Sequence, residues 1–155
     1  LMSHSASLAA DKGIVVVCSA GNSGRGAWKK VTPPGDSENV LTIGALTKDL
    51  VNAEFSSIGD TSDGRIKPDV MAIGVNSVVS GNDGRISKAN GTSFASPTMC
   101  GIVACFWQAC PWLTAKEVIK AVQQAGDRVD FPDNIYGYGV PNLWKAYQTE
   151  VEKRK

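Results

Sequence analysis

Hydrophobic positions along this chain fall into two patterns, and their alternation sets the expected architecture. Ile14-Val15-Val16-Val17-Cys18 is a continuous, mostly β-branched run without a polar break. Such a run predicts a strand covered on both faces, as in parallel sheets with crossover connections. Val40 to Ala45, Val70 to Ile73 and Asn76 to Ser80 predict further short buried strands, and Gly21 to Gly35 a Gly- and Pro-rich loop. Elsewhere the period becomes helical. Ser5 to Lys12 is Ala-rich and helix-like, with Gly13 as its stop. Thr92 to Ala109 is apolar nearly all round, through Ala95, Met99, Ile102, Val103 and Phe106, which predicts a helix buried in the middle of a domain. Pro97 is expected close enough to the helix start for its missing N–H to cost little. Thr114-Ala115-Lys116-Glu117 is a capping box leading a stripe of Val118, Ile119, Val122 and Ala125. Pro141 is expected to open a last helix carrying Leu143, Trp144 and Tyr147. Strands alternating with helices indicate an α/β layered domain.

Composition adds mostly exclusions. The chain has 155 residues, 16 Lys plus Arg against 15 Asp plus Glu, 43% apolar residues and 20% charged ones. That is one domain of ordinary soluble composition, with no charge excess to suggest a nucleic-acid or membrane-surface partner. No apolar stretch reaches the roughly 18 residues of a spanning helix. The start Leu1-Met2-Ser3-His4 has neither the basic nor the apolar part of a signal peptide. Leu1 ahead of Met2 suggests a piece of a longer chain. Residues 149–155 are set apart as a charged, frayed tail. Cys18, Cys100, Cys105 and Cys110 form no C-x-x-C, and one histidine is too few for most zinc spacings. The four are expected as small buried hydrophobes, and no metal ligand is assigned.

Two loops carry candidate chemistry. Ser19-Ala20-Gly21-Asn22-Ser23-Gly24 follows the first strand, and ligands of open α/β sheets bind beyond the strands' carboxyl ends. Asn22 can aim an amide N–H₂ into that crevice. Asn90-Gly91-Thr92-Ser93-Phe94-Ala95-Ser96-Pro97 lies at the start of the long apolar helix. A hydroxyl there sits among unpaired N–H donors at the positive end of the helix dipole, a place suited to a nucleophile whose attack creates an oxyanion. Taken singly, Asn22 also fits ordinary turn chemistry, and Thr92 or Ser93 an ordinary helix cap.

Together the loops are specific. Gly91-Thr92-Ser93-Phe94-Ala95-Ser96-Pro97 resembles the G-T-S-x-A-x-P nucleophile signature of subtilisin-like serine proteases, the subtilases. Ser19-Ala20-Gly21-Asn22 resembles that family's oxyanion-hole segment. Asn39 to Ala45, Phe55 to Gly59, Lys67-Pro68-Asp69-Val70-Met71-Ala72 and Tyr136 to Asn142 resemble further family blocks, in family order. The resemblance runs from about Ser7 to Tyr147. It implies a subtilisin-like three-layer αβα fold with a mainly parallel sheet, of which residues 1–148 would be the C-terminal portion of the catalytic domain. It implies a serine endopeptidase acting on polypeptides, with Ser93 as nucleophile. Asn22 would donate to the oxyanion alongside the backbone N–H of Ser93, and Ala20 and Gly21 would line one wall of the S1 pocket. Asn22 also separates the chain from the related sedolisins, which place Asp there. Calcium is a possible stabilising ion by the same resemblance, and a secreted or cell-envelope location is the family's habit.

The departures from the family pattern matter as much. The family's catalytic Asp and its H-G-T-type His precede the Asn, and neither motif is present. His4 is the only histidine and does not match, and the aspartates, Asp69 included, are expected mostly as turn or capping residues. Without a base Ser93 keeps its proton, so the isolated chain is expected to be inactive. It is also expected to expose apolar surface and an unpaired strand edge, and to self-associate. A non-catalytic relative whose cleft binds peptides or holds an assembly is the competing reading. Retention of both Ser93 and Asn22 argues against it.

Overall fold

In the computed structural model all 155 residues, Leu1–Lys155, are described. The α/β class is as expected: a parallel sheet carries the core, and the longest helix crosses it. The sheet has three strands, β1 (Val17–Ser19), β2 (Leu41–Leu46) and β5 (Val70–Ile73), in the order β1-β2-β5. Val17 pairs with Leu41 and Ile43 with Val70, both parallel. Every residue of β2 is buried, because it has a strand on each side and side chains packed on both faces. Gly74, just past β5, accepts the Gly91 N–H on its carbonyl at 2.8 Å, and a Cβ there would lie 2.6 Å from the Gly91 carbonyl oxygen. That close approach joins the end of β5 to the start of α2 (Thr92–Ala109).

Helix α2 packs across all three strands, with Ala95, Met99, Val103 and Phe106 in the core beside Leu41, Ile43 and Val70. Helix α3 (Ala115–Gln124) starts at the expected capping box, and buries Val118 and Val122. Helix α4 (Leu143–Glu152) packs on α2 and α3. Helix α1 (Met2–Asp11) buries only Ala10, and ties to the following loop through Ser3, which bonds Asp36 and Ser37. Two antiparallel hairpins stand outside the sheet: β3 (Gly59–Asp60) with β4 (Ile66–Lys67), and β6 (Ser77–Ser80) with β7 (Ile86–Ala89). No helix is long and apolar enough to cross a membrane.

Several expectations are corrected. The strand expected at Ile14–Cys18 is confined to Val17–Ser19 and Ile14 is exposed, because β1 is the sheet's edge and no neighbour covers its outer side. Asn76 to Ser80 does not join the sheet; β6 alternates half-buried and exposed residues in an outer hairpin. Helix α2 is not buried all round. Its second face, with Ile102 and Cys105, is open, so Cys100 and Cys105 are exposed while Cys18 and Cys110 are buried. Pro97 lies beyond the first turn, so the Ser93 carbonyl loses the N–H that an ordinary residue at 97 would offer. Asn142, not Pro141, caps α4, accepting the Lys145 N–H at 3.0 Å. The charged end is helical through Glu152, with Glu150 buried.

Asp69 is the largest surprise in the core. It is neither cap nor turn residue: its carboxylate lies 2.6 Å from the Lys67 ammonium, and both side chains are at most 5% exposed. Lys67 Nζ also donates to the Val40 carbonyl at 2.9 Å and to Thr42 Oγ1 at 3.1 Å, which uses all three of its protons. Asp69 accepts the Thr42 N–H at 2.7 Å and the Gln123 amide at 2.8 Å. A buried ion pair is tolerable when its protons and both carboxylate oxygens have partners, as here. It pins β2, β5 and α3 to one another.

Candidate active site

The site lies beyond the carboxyl end of β1, where the loop after that strand meets the N-terminus of α2. A hydrogen-bonded knot joins them. Asn22 Oδ1 accepts both the backbone N–H of Thr92 at 3.0 Å and its hydroxyl at 2.9 Å. Thr92 Oγ1 in turn accepts the Gly21 N–H at 3.2 Å. Thr92 is fully buried, so these bonds form away from water. The amide oxygen of Asn22 is thereby engaged, which leaves its N–H₂ group as the free donor. A Cβ placed on Gly91 would lie 3.5 Å from that nitrogen, so the donor sits against the start of the nucleophile helix.

Ser93 is exposed at the second position of α2. Its backbone N–H belongs to the first turn, has no intrahelical acceptor, and bonds to no other carbonyl of the chain. The exposed hydroxyl and free backbone N–H of Ser93 thus adjoin Thr92, the residue bonded to Asn22, at the positive end of a helix dipole. The chemistry this permits is attack by the hydroxyl on a carbonyl, with two donors for the oxygen that becomes negative.

The loop carrying Asn22 is held by its surroundings rather than by its own sequence. Gly21 has φ +104°, and a Cβ on it would lie 2.5 Å from Thr32 Oγ1, so only glycine fits. Ser57 N–H donates to the Gly21 carbonyl at 2.9 Å, Ser57 Oγ accepts the Ser23 N–H at 3.0 Å, and the Phe55 carbonyl accepts the Gly24 N–H at 2.9 Å. The turn around Phe55-Ser56-Ser57 thus grips the loop from below. Sequence reasoning placed this block in family order without a role; only the fold brings it under residue 22.

The structure brings Ser93 and Asn22 together, as the spacing alone could not. Gly21 is half-buried beside them. Ala20 is fully buried, its N–H donating to Ile43 and its carbonyl accepting from Thr32. His4 is exposed on α1. Cys18, on β1, is no competing nucleophile: burial pushes its thiol up, against a smaller opposing pull from the Lys67 charge. No three His, Cys, Asp or Glu side chains are grouped so as to hold a metal ion.

A parallel α/β sheet thus carries a long helix whose N-terminus presents an exposed hydroxyl beside a fixed amide side chain. Comparison with known proteins identifies the family. The family model of the subtilases (peptidase S8) matches residues 2–139, and the chain belongs to that family. Serine protease AprX of Bacillus subtilis is 39% identical, covering 84% of this chain and 34% of its own length. Subtilisin DY of Bacillus licheniformis is 32% identical, covering 88% of this chain and 47% of its own length. The self-cleaved protease domain of PatA superposes with a TM-score of 0.79 at 21% identity, covering 97% of this chain and 55% of that one, which is a likeness of fold. The chain thus spans between a third and a half of these curated relatives' lengths.

Proposed function

We propose that these residues are the nucleophile- and oxyanion-bearing part of a subtilisin-like serine endopeptidase. Ser93 Oγ adds to the scissile carbonyl carbon while a base removes its proton. The oxygen that becomes negative is received by the Asn22 N–H₂ and the Ser93 backbone N–H. Collapse of the intermediate expels the amine with that proton, and water then hydrolyses the acyl-Ser93 ester. The base and the acid that orients it are supplied by residues outside these 155, since His4 matches no family position. The observation that carries the reading is the engagement of Asn22 Oδ1 by Thr92, the residue next to Ser93, which leaves the Asn22 N–H₂ without a partner. The substrate is a polypeptide, and the 155-residue chain alone is inactive. Family resemblance extends the proposal to export of the whole protein, which fractionation of the producing cells tests.

Fluorophosphonate labelling read by mass spectrometry tests the chemistry. Ser93 is expected to be labelled in the protein that carries this chain at its natural length. Labelling is expected to be absent from Ser93→Ala and from the 155 residues alone. A folded, propeptide-free protein without label at Ser93 would instead be a non-catalytic relative.

A further inference from the structure

We infer that Ser57 is a positioning residue for Asn22, an inference that rests on the reading of Asn22 as the oxyanion donor. Asn22 is an exposed loop residue, and its donor stays aimed only if the backbone on both sides of it is fixed. Ser57 fixes both sides at once. Its N–H holds the Gly21 carbonyl at 2.9 Å, and its Oγ takes the Ser23 N–H at 3.0 Å, so one residue brackets position 22. Thr92 holds the amide oxygen from the opposite side. Ser57 has no exposed surface, so water does not readily replace its hydroxyl. Removing that hydroxyl leaves the Ser23 N–H without its acceptor and frees the loop to shift. A shift of about 1 Å at a reacting group can cost as much as about 10²-fold in rate.

Ser56 supplies a matched comparison within the same turn. It is equally buried, and its Oγ also accepts a backbone N–H at 3.0 Å, but that of Ala45 in β2 rather than one in the loop. Both serines make a buried hydroxyl-to-backbone bond, and only the Ser57 hydroxyl bonds to the loop around Asn22.

The test is a double-mutant cycle in the protein that carries this chain with its acid and base. Ser57→Ala is expected to lower kcat about tenfold with KM nearly unchanged. Ser56→Ala is expected to leave kcat within about twofold, and Ser57→Ala to add nothing once Asn22→Ala is present. An undiminished Ser57 effect in the Asn22→Ala background overturns the inference, as does an equal loss of kcat from Ser56→Ala. Amide exchange across residues 21–24 needs no catalysis and separates this inference from the proposed function. Ser57→Ala is expected to speed it about tenfold, and Ser56→Ala to leave it unchanged. Unchanged exchange in Ser57→Ala overturns the bracket. A protein inactive in every form sinks the protease reading instead, and the exchange result then decides on Ser57 alone.

Discussion

Two regions of the molecule invert what composition alone suggests. Between β2, β5 and α3 a lysine and an aspartate are buried, at 3% and 5% exposure. On the far side of α2, Ile102 is 45% and Trp144 of α4 is 67% exposed, and the groove they share with Cys105, Phe106, Leu143 and Tyr147 is wholly apolar in lining. The charged pair is inside because every donor and acceptor it brings finds a partner at 2.6–3.1 Å. The apolar groove is outside because these 155 residues hold nothing that covers it. Polarity is a requirement for partners, whereas burial is decided by which partners the chain itself can bring.

The comparison can be broken hardest at the inner region. Lys67→Met leaves the Asp69 carboxylate buried without its cation, and is expected to cost about 3–5 kcal/mol in urea unfolding. Replacing both partners, Lys67→Met with Asp69→Leu, should recover much of that loss. A single variant costing under about 1 kcal/mol would mean that water reaches the pair. The outer region should respond in the opposite way. Ile102→Lys with Trp144→Lys is expected to change stability by no more than about 0.5 kcal/mol per site, as for exposed positions in general. The same pair should turn concentration-dependent association of the 155-residue chain into a monomer by sedimentation. A wild-type chain that is monomeric at every concentration would show that the open face needs no cover.

The smallest effect sharpens the contrast at an exposed cap. The Thr114 N–H, and then its hydroxyl, hold the Glu117 carboxyl below the ordinary glutamate range. A lowered folded-state value adds stability that is complete above the ordinary value and is lost as pH falls through the lowered one. The Tm difference between the wild type and Glu117→Gln should therefore be positive near pH 6 and shrink toward pH 3, windows set from about 4.3 for an unperturbed glutamate. A difference that stays constant over that range would remove the ionised cap from the account.

How much was legible in advance follows from how local each signal is. The capping box at Thr114 and Glu117 is contained in four residues, and it forms as written. The short strand read at Val40 to Ala45 formed as Leu41–Leu46, and it became the one strand covered on both sides. Ile14 to Val16 is more uniformly apolar, but it lies before the edge strand, where no neighbour fixes it. Asn22 and Ser93 were legible as chemistry because their loops carry recognisable residue types. Ser57 was not, because a serine in a turn has no sequence signal for whose N–H it will accept. Asp69 was misplaced for the same reason: its partners Thr42 and Gln123 lie 27 and 54 positions away.

The sequence by itself determined the periodicity of its helices and strands, the α/β class, the family, and the two residues proposed to carry the chemistry. All of these depend on residue types within short windows. The tertiary structure alone decided that Thr92 turns the amide of Asn22, that Ser57 brackets it, that Lys67 and Asp69 are core residues, and that one face of α2 is left open. Each depends on contacts between segments far apart in the chain, and the free energy of a buried hydrogen bond or apolar surface is set by what the fold places opposite it.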